Sequence, residues 1–373
     1  MAESLYIHIP FCMGKCSYCD FTSIVYGEDA ARAYIEALKR EIHLKGKMGL
    51  KTFYIGGGTP TALSAASLKD LFNAVNEQYE FYPDAERTIE ANPATIDREK
   101  LSLLKGAGVN RVSLGVQSLN ADELFVLGRL HSSGQALRSF HLIRDGGFEN
   151  VSLDLIYGVP GQTLKTWEAT LNEILRLRPE HISAYELMLE ACTPLYVEVE
   201  TGLVRMPPEK DVIEMSELCQ DLLEGAGYAR YEVSNYALPG RESRHNINYW
   251  RRGEYIGLGA AAHSFINSER WRNTDDVFEY ISSLEKGAIA IKDHETLTPE
   301  DEKREFVFLG LRMANGISVK EGEERYGISL ASASGELLKD GLLEMEGENL
   351  RPTRKGFSVL NAVIGELLKS LGL

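Results

Sequence analysis

The 373-residue chain has no run of about 18 consecutive apolar residues, so no segment reads as a membrane-spanning helix. It has no surplus of positive charge. With 40 Lys and Arg against 55 Asp and Glu, the net charge of −15 argues against a general nucleic-acid binder. Met1-Ala2-Glu3-Ser4 leads straight into a short apolar run containing His8, without the layout of a secretory signal peptide, and a cytoplasmic protein is expected. Cysteine is scarce, at five residues, which fits a reducing compartment better than a disulfide-stapled fold. Low-complexity tracts are absent, as are repeats beyond a β-then-α unit. The length allows one large domain and one or two small ones.

Three of the five cysteines lie together. Cys12, Cys16 and Cys19 sit in Phe11-Cys12-Met13-Gly14-Lys15-Cys16-Ser17-Tyr18-Cys19-Asp20-Phe21. A loop this short lets three thiolates converge on one inorganic centre. An iron–sulfur cube has four irons, so three cysteines leave one iron open to a substrate. A zinc site remains the alternative, although Asp20 and Phe21 supply no fourth thiolate. A disulfide would strand the third cysteine. Cys192 and Cys219 are each expected to be buried small hydrophobes. With Tyr18 directly before the third cysteine, the spacing resembles the signature of the radical S-adenosylmethionine superfamily. The resemblance implies a [4Fe-4S] cluster whose open iron chelates the amino and carboxylate groups of S-adenosylmethionine. It also implies that the protein binds, orients and excludes water while the radical chemistry belongs to the cofactor.

Strand patterns at residues 5–10, 52–55, 87–91, 111–116, 151–157 and 181–187 alternate with helical stretches at 30–47, 65–77, 97–106, 135–145 and 164–175. Leu68, Leu71, Phe72 and Val75 share one helical face, as do Ile35, Leu38 and Ile42. Ser64 reads as a helix N-cap, and Gly106 and Gly146 as helix ends. Six β-then-α units predict parallel strands in a partial, TIM-like (β/α)6 barrel spanning residues 1–237.

Unusual residues fall at the C-terminal ends of these strands, where parallel α/β folds place their sites. The cysteine loop follows the first strand and Gly56-Gly57-Gly58-Thr59-Pro60 the second. Glu90-Ala91-Asn92-Pro93 ends the third, Gln117-Ser118 the fourth, and Asp154 lies within the fifth. The glycines permit close backbone approach to a ligand, or simply a tight turn. Glu90 and Asp154 are costly to bury unpaired, so hydroxyls or a cation should meet them; ion pairs with Arg111 or Arg129 are the structural alternative. Arg129 has the fork geometry to clamp a carboxylate.

The pattern changes after residue 237. Residues 238–297 read as a connecting segment containing Arg244-His245-Asn246-Ile247-Asn248-Tyr249-Trp250 and a small-residue run through His263. A histidine beside two aromatics suits either a packed loop or a haem site with an imidazole ligand. His263 reads as structural. Residues 298–373 predict a small, mostly helical winged-helix-like unit opening at Thr298-Pro299-Glu300-Asp301, too acidic to bind DNA.

Together, Tyr6-Ile-His-Ile-Pro-Phe-Cys, Gly-Gly-Gly-Thr-Pro, Gly115-Val-Gln-Ser and Asp154-Leu-Ile-Tyr-Gly resemble the coproporphyrinogen III dehydrogenase group. That group includes oxygen-independent dehydrogenases of porphyrin biosynthesis and haem chaperones that deliver haem to apoproteins. The dehydrogenases carry a further cysteine where this chain has Phe21, and a longer extension than the eleven residues preceding Cys12. Residues 245–250 match the His-Asn-x-x-Tyr-Trp element of the chaperones. The resemblance therefore favours a haem chaperone over an active dehydrogenase, which stays as the alternative. It assigns Cys12, Cys16 and Cys19 to the cluster, and no catalytic side chain. Tyr6, Tyr18, Gly57, Gly58, Thr59, Glu90, Gln117, Arg129 and Asp154 are implied at S-adenosylmethionine, and His245 at haem. The implied partners are haem and haem-receiving apoproteins, with at most transient contact with a membrane surface.

Overall fold

The computed structural model describes residues 2–373. Six strands form the centre of the main sheet: β1 (Ser4–Ile9), β2 (Gly49–Gly57), β3 (Glu80–Ala91), β4 (Arg111–Gln117), β5 (Val151–Tyr157) and β6 (His181–Glu186). They pair in parallel in that order, as the six β/α units predict. The crossovers include α1 (Glu28–Leu44), α2 (Ala65–Gln78), α3 (Arg98–Gly106), α4 (Ser133–Asp145) and α5 (Leu164–Leu177). Ser64 caps α2 by accepting the Ser67 amide, and Ser132 with Gln135 forms a capping box on α4. Gly106 and Gly146 stand at helix ends, but the left-handed turns belong to Gly108 (φ 87°) and Gly147 (φ 81°).

Each strand shows two faces to two environments. Leu5, Ile7, Phe53, Ile55, Ile89, Val112, Leu114, Leu153, Leu155 and Ile182 pack into the core beneath the helices. The alternate positions are polar: Ser4, Tyr6 and His8; Thr52 and Tyr54; Glu86, Thr88 and Glu90; Arg111 and Ser113; Ser152 and Asp154; His181 and Ser183. Strand side chains alternate faces, so this period-two pattern gives the open sheet of a partial barrel an apolar outer layer and a polar interior.

The segment 238–297 is more than a connection. Before it, β7 (Ala229–Arg230) and β8 (Asn235–Ala237) extend the sheet antiparallel beyond β6. Within it, α6 (Glu209–Gly225) having been passed, comes the helix α7 (Arg244–Trp250). Then β9 (Ile256–Leu258) pairs in parallel with β1 at the opposite edge, giving a nine-stranded order β9-β1-β2-β3-β4-β5-β6-β8-β7. Next, β10 (His263–Ile266), β11 (Glu269–Asn273) and β12 (Ile291–Thr296) form an antiparallel sheet, and α8 (Val277–Glu285) packs on α1. Glu41 of α1 is the joint: fully buried, it accepts the Gly259 amide (2.8 Å), the Tyr280 hydroxyl (2.6 Å) and the Asn273 side-chain amide (2.8 Å).

The C-terminal unit has its own core around Val307, Leu311, Leu330, Leu350, Ile364 and Leu367. Its helices surround a three-stranded sheet in which β15 (Asn349–Pro352) lies between β13 (Ile317–Ser318) and β14 (Leu343–Glu346). Arg252, just after α7, docks it by donating to Glu305 (3.0 Å) and Tyr326 (3.0 Å). No described helix is long and apolar enough to cross a membrane.

Truncating Glu41 strands three buried donors at once. Glu41→Ala is expected to lower unfolding stability by about 3 kcal/mol in urea titrations, with a smaller loss for Glu41→Gln. A loss below about 1 kcal/mol would mean that packing alone holds this segment on the barrel.

Candidate functional site

The cysteine loop is held at both ends. The two-residue strands Phe11–Cys12 and Ile24–Val25 pair in parallel, and Tyr26 donates its amide to Cys12 O (2.8 Å). Its middle is pinned by Ser17, whose amide reaches Leu127 O (3.1 Å), whose hydroxyl reaches Val126 O (2.6 Å), and whose carbonyl accepts the Leu195 amide (2.9 Å). All three loop cysteines are free thiols of intermediate exposure on one cavity of about 360 Å³ at the C-terminal end of the barrel. Among the described residues, no three His, Cys, Asp or Glu side chains lie close enough to hold a single metal ion, as a zinc knuckle would require. A cubane spreads its thiolates over separate irons. Burial pushes the Cys19 thiol up to about 11 and raises that of Cys12, so without a metal centre these two thiols hold their protons at neutral pH. A cationic centre reverses that preference.

The same cavity collects Tyr18, Gly57, Gly58, Thr59, Glu90, Gln117, Arg129 and Asp154, drawn from five successive strand ends. The glycine turn is built against the cysteine loop. Gly58 N donates to Ile9 O (2.9 Å), Thr59 N to Phe11 O (2.7 Å), and the Thr59 hydroxyl faces Cys12 Sγ at 3.7 Å. A Cβ on Gly57 would lie 2.6 Å from the His8 ring, and one on Gly58 2.8 Å from Phe11 O. The space those glycines free is thus used first by the protein itself. Arg129 donates to Cys16 Sγ (3.4 Å), Asn92 Oδ1 (3.0 Å) and Gly115 O (2.7 Å), while its buried Nε has no partner. Gln117 holds φ at 65°, left-handed strain at the tip of β4 that aims its side chain into the cavity.

Hydroxyls, not ion pairs, meet the two carboxylates. Asp154 accepts from Ser183 (2.7 Å), Ser113 (2.9 Å) and Ser152 (3.2 Å). Glu90 accepts from the Tyr54 hydroxyl (2.7 Å) and the Gly57 amide (3.1 Å). Burial, with the charge of Asp154, pushes the Glu90 carboxyl up to about 7; burial also raises Asp154 against the pull of its serines. Tyr54, Ser113, Ser152, Ser183 and Tyr185 were not among the residues expected at the site. Their signal was the polar half of each strand's alternation.

Two expected residues stand off the cavity wall. Tyr6 lies behind Tyr54 (ring centroids 6.2 Å) and donates to His8 Nδ1 (3.0 Å). His245 is buried in α7 with both ring nitrogens engaged: Nδ1 with Thr52 Oγ1 (2.8 Å) and Nε2 with the Tyr249 hydroxyl (2.8 Å). It stacks on Tyr54 at 5.2 Å, and burial followed by the Arg111 charge depresses it to about 3. Thr52 donates onward to Ser4 (2.9 Å), which leaves Nε2 accepting the Tyr249 proton. An axial ligand needs that lone pair free, and in this conformation the Tyr249 hydroxyl occupies it. Its neighbour Asn246 does line the cavity. Cys219 is buried as expected, but Cys192 is exposed, because it lies in the loop after β6 rather than in an element.

The fold and the cysteine-lined cavity define a radical S-adenosylmethionine domain: the Radical SAM superfamily model matches residues 6–174, and the HemN C-terminal domain model matches 297–359. Full-length relatives are more specific. "Heme chaperone HemW" of Bacillus subtilis is 40% identical over 378 residues, covering 99% of this chain and 100% of that protein. Its namesake in Lactococcus lactis is 38% identical, covering 98% and 97%. The solved coproporphyrinogen III oxidase HemN of Escherichia coli superposes with a TM-score of 0.85 over 98% of this chain and 89% of its own, at 24% identity, a likeness of fold. The chain belongs to the HemW family of radical S-adenosylmethionine proteins.

Glu90 gives a pH signature of the ligand-free site. Its folded pKa of about 7 exceeds the unfolded value of about 4.3, so the stabilisation it confers is complete below the lower value and lost as pH rises through the upper. Wild type is expected to lose on the order of 1–2 kcal/mol more than Glu90→Gln across that window, discounted because the group faces a water-accessible cavity. Parallel stability profiles would contradict this.

Proposed function

We propose that the protein is a haem chaperone on a radical S-adenosylmethionine core, carrying haem to apoproteins in the cytoplasm. The observation that supports this most is the near full-length match to proteins named haem chaperone HemW. Cys12, Cys16 and Cys19 would hold the [4Fe-4S] cluster, with Thr59 and Arg129 donating toward the cysteine sulfurs. Tyr18, Gly57, Gly58, Thr59, Glu90, Gln117, Arg129 and Asp154 would surround S-adenosylmethionine. Tyr6 would support Tyr54 from behind. When bound, the cluster and S-adenosylmethionine supply one-electron chemistry. This chain's own residues fit the ligand's groups: the unpartnered Arg129 Nε suits a carboxylate, and Glu90 and Asp154 are acceptors for ammonium and hydroxyl hydrogens.

His245 remains the proposed haem ligand, and its use would require Tyr249 to release Nε2. The partners are haem and its client apoproteins, not nucleic acid, with membrane contact at most transient.

The test is a haem titration of anaerobically reconstituted protein, followed by the Soret band, beside an assay for coproporphyrinogen decarboxylation. Stoichiometric haem uptake without decarboxylation is expected; turnover to protoporphyrinogen without haem retention would establish the dehydrogenase reading instead. Tyr249→Phe frees the His245 lone pair and should tighten haem binding severalfold, about 1 kcal/mol, while His245→Ala weakens it. Unchanged haem spectra in both variants, with lowered thermal stability, would leave His245 as a structural residue only.

A further inference from the structure

Arg111 is a cavity-wall residue for which the cofactor assignment has no use. Its side chain rises from the first residue of β4 into the cavity and is 2% exposed. It forms no hydrogen bond or close ion pair with any described residue, and its Nε is buried without a partner. A guanidinium is a positive charge, and this one stands inside the barrel.

The groups it faces come from every element around it. They are Glu90 on β3, Asp154 on β5, Tyr54 on β2, His181 on β6, Tyr231 beyond β7, and His245 on α7; its field reaches each of them. The two histidines are depressed by burial and by this same charge, and their nitrogens are spent on hydroxyls: Ser152 and Tyr231 for His181, Thr52 and Tyr249 for His245. They add no positive charge. Arg129, the other guanidinium on the wall, is committed to Cys16, Asn92 and Gly115. That leaves Arg111 to offset two carboxylates that burial drives toward protonation, Glu90 with the added push of the Asp154 charge.

We propose that Arg111 is a positioning residue: standing off from Glu90 and Asp154 in the cavity wall, its charge favours their carboxylate form and so readies the pair to accept hydrogens from the nucleoside-bearing ligand. The stand-off matters. A bidentate pair would occupy the carboxylate lone pairs that the ligand needs, whereas a charge acting across the low-dielectric interior favours ionisation and takes none beyond those already met by Tyr54, Gly57 and the serines. The role rests on the S-adenosylmethionine part of the proposed function.

Two readouts on the cluster-loaded protein test it. The first, without S-adenosylmethionine, follows protonated carboxyls by infrared difference spectroscopy from about pH 5 to about pH 9. Arg111→Gln should raise the midpoint by about one unit or more, Arg111→Lys by less than half as much, and Arg111→Gln/Glu90→Gln should lose the shifted band. If Arg111→Gln does not fold, Arg111→Met carries the same expectation. The second is calorimetric binding of S-adenosylmethionine. Affinity in Arg111→Gln should fall about tenfold or more at pH 7 and recover toward wild type by about pH 9. An unmoved carboxyl midpoint, or a loss of affinity equal at every pH, overturns the proposal. A wild type that never binds S-adenosylmethionine overturns the cofactor reading instead, and the infrared midpoints still decide the role of Arg111.

Discussion

Ionisable and hydrogen-bonding groups inside the barrel carry a heavy desolvation cost unless something meets them, and most of this architecture follows from how they are met. The contacts form a continuous chain. Ser4 and Thr52 hold His245, His245 stacks on Tyr54, and Tyr54 donates to Glu90. Glu90 holds Gly57, and the glycine turn braces the loop that bears Cys12. Glu86 extends the chain downward by accepting the Arg244 and His245 amides at the start of α7. The cysteine loop and the His-Asn-x-x-Tyr-Trp helix, far apart in sequence, are two ends of one wall joined by hydrogen bonds and by the stacking of His245 on Tyr54.

That linkage couples the proposed haem ligand to the proposed cofactor site. Displacing Tyr249 to free His245 would disturb the imidazole that packs on Tyr54, and through it the carboxylate proposed to meet S-adenosylmethionine. Haem occupancy and cofactor occupancy are then expected to sense each other through Tyr54 and Glu90. Arg252, immediately after α7, carries the same helix into contact with Glu305 and Tyr326 of the C-terminal unit. The C-terminal unit thus meets the surroundings of the site next to α7 and again beside β7, where the Ala314 amide donates to Tyr231 O (2.9 Å).

The six central strands and their helices were legible because each signal is local: β-branched runs, helical spacing of Leu68, Leu71, Phe72 and Val75, and a serine cap at Ser64. The cysteines, the glycine turn, Glu90, Gln117, Arg129 and Asp154 were legible by their place at strand ends. What failed was non-local. Three residues, Ile256–Leu258, join the edge of β1 across the whole domain, and nothing in so short a run announces its partner. The hydroxyls of Thr52 and Tyr249 that engage both ring nitrogens of His245 likewise meet only in the folded chain. Ser113, Ser152 and Ser183 look unremarkable one strand at a time. Only the registered sheet brings their hydroxyls onto Asp154.

Every proposed role in the cavity requires three cysteine ligands that leave one iron free for S-adenosylmethionine. Mössbauer spectroscopy of iron-57-reconstituted protein, with and without S-adenosylmethionine, addresses that directly. The expected result is a [4Fe-4S] cluster of about four irons per chain, in which S-adenosylmethionine perturbs one iron and spares the others. A mononuclear site, or a cubane whose irons all ignore S-adenosylmethionine, would contradict it.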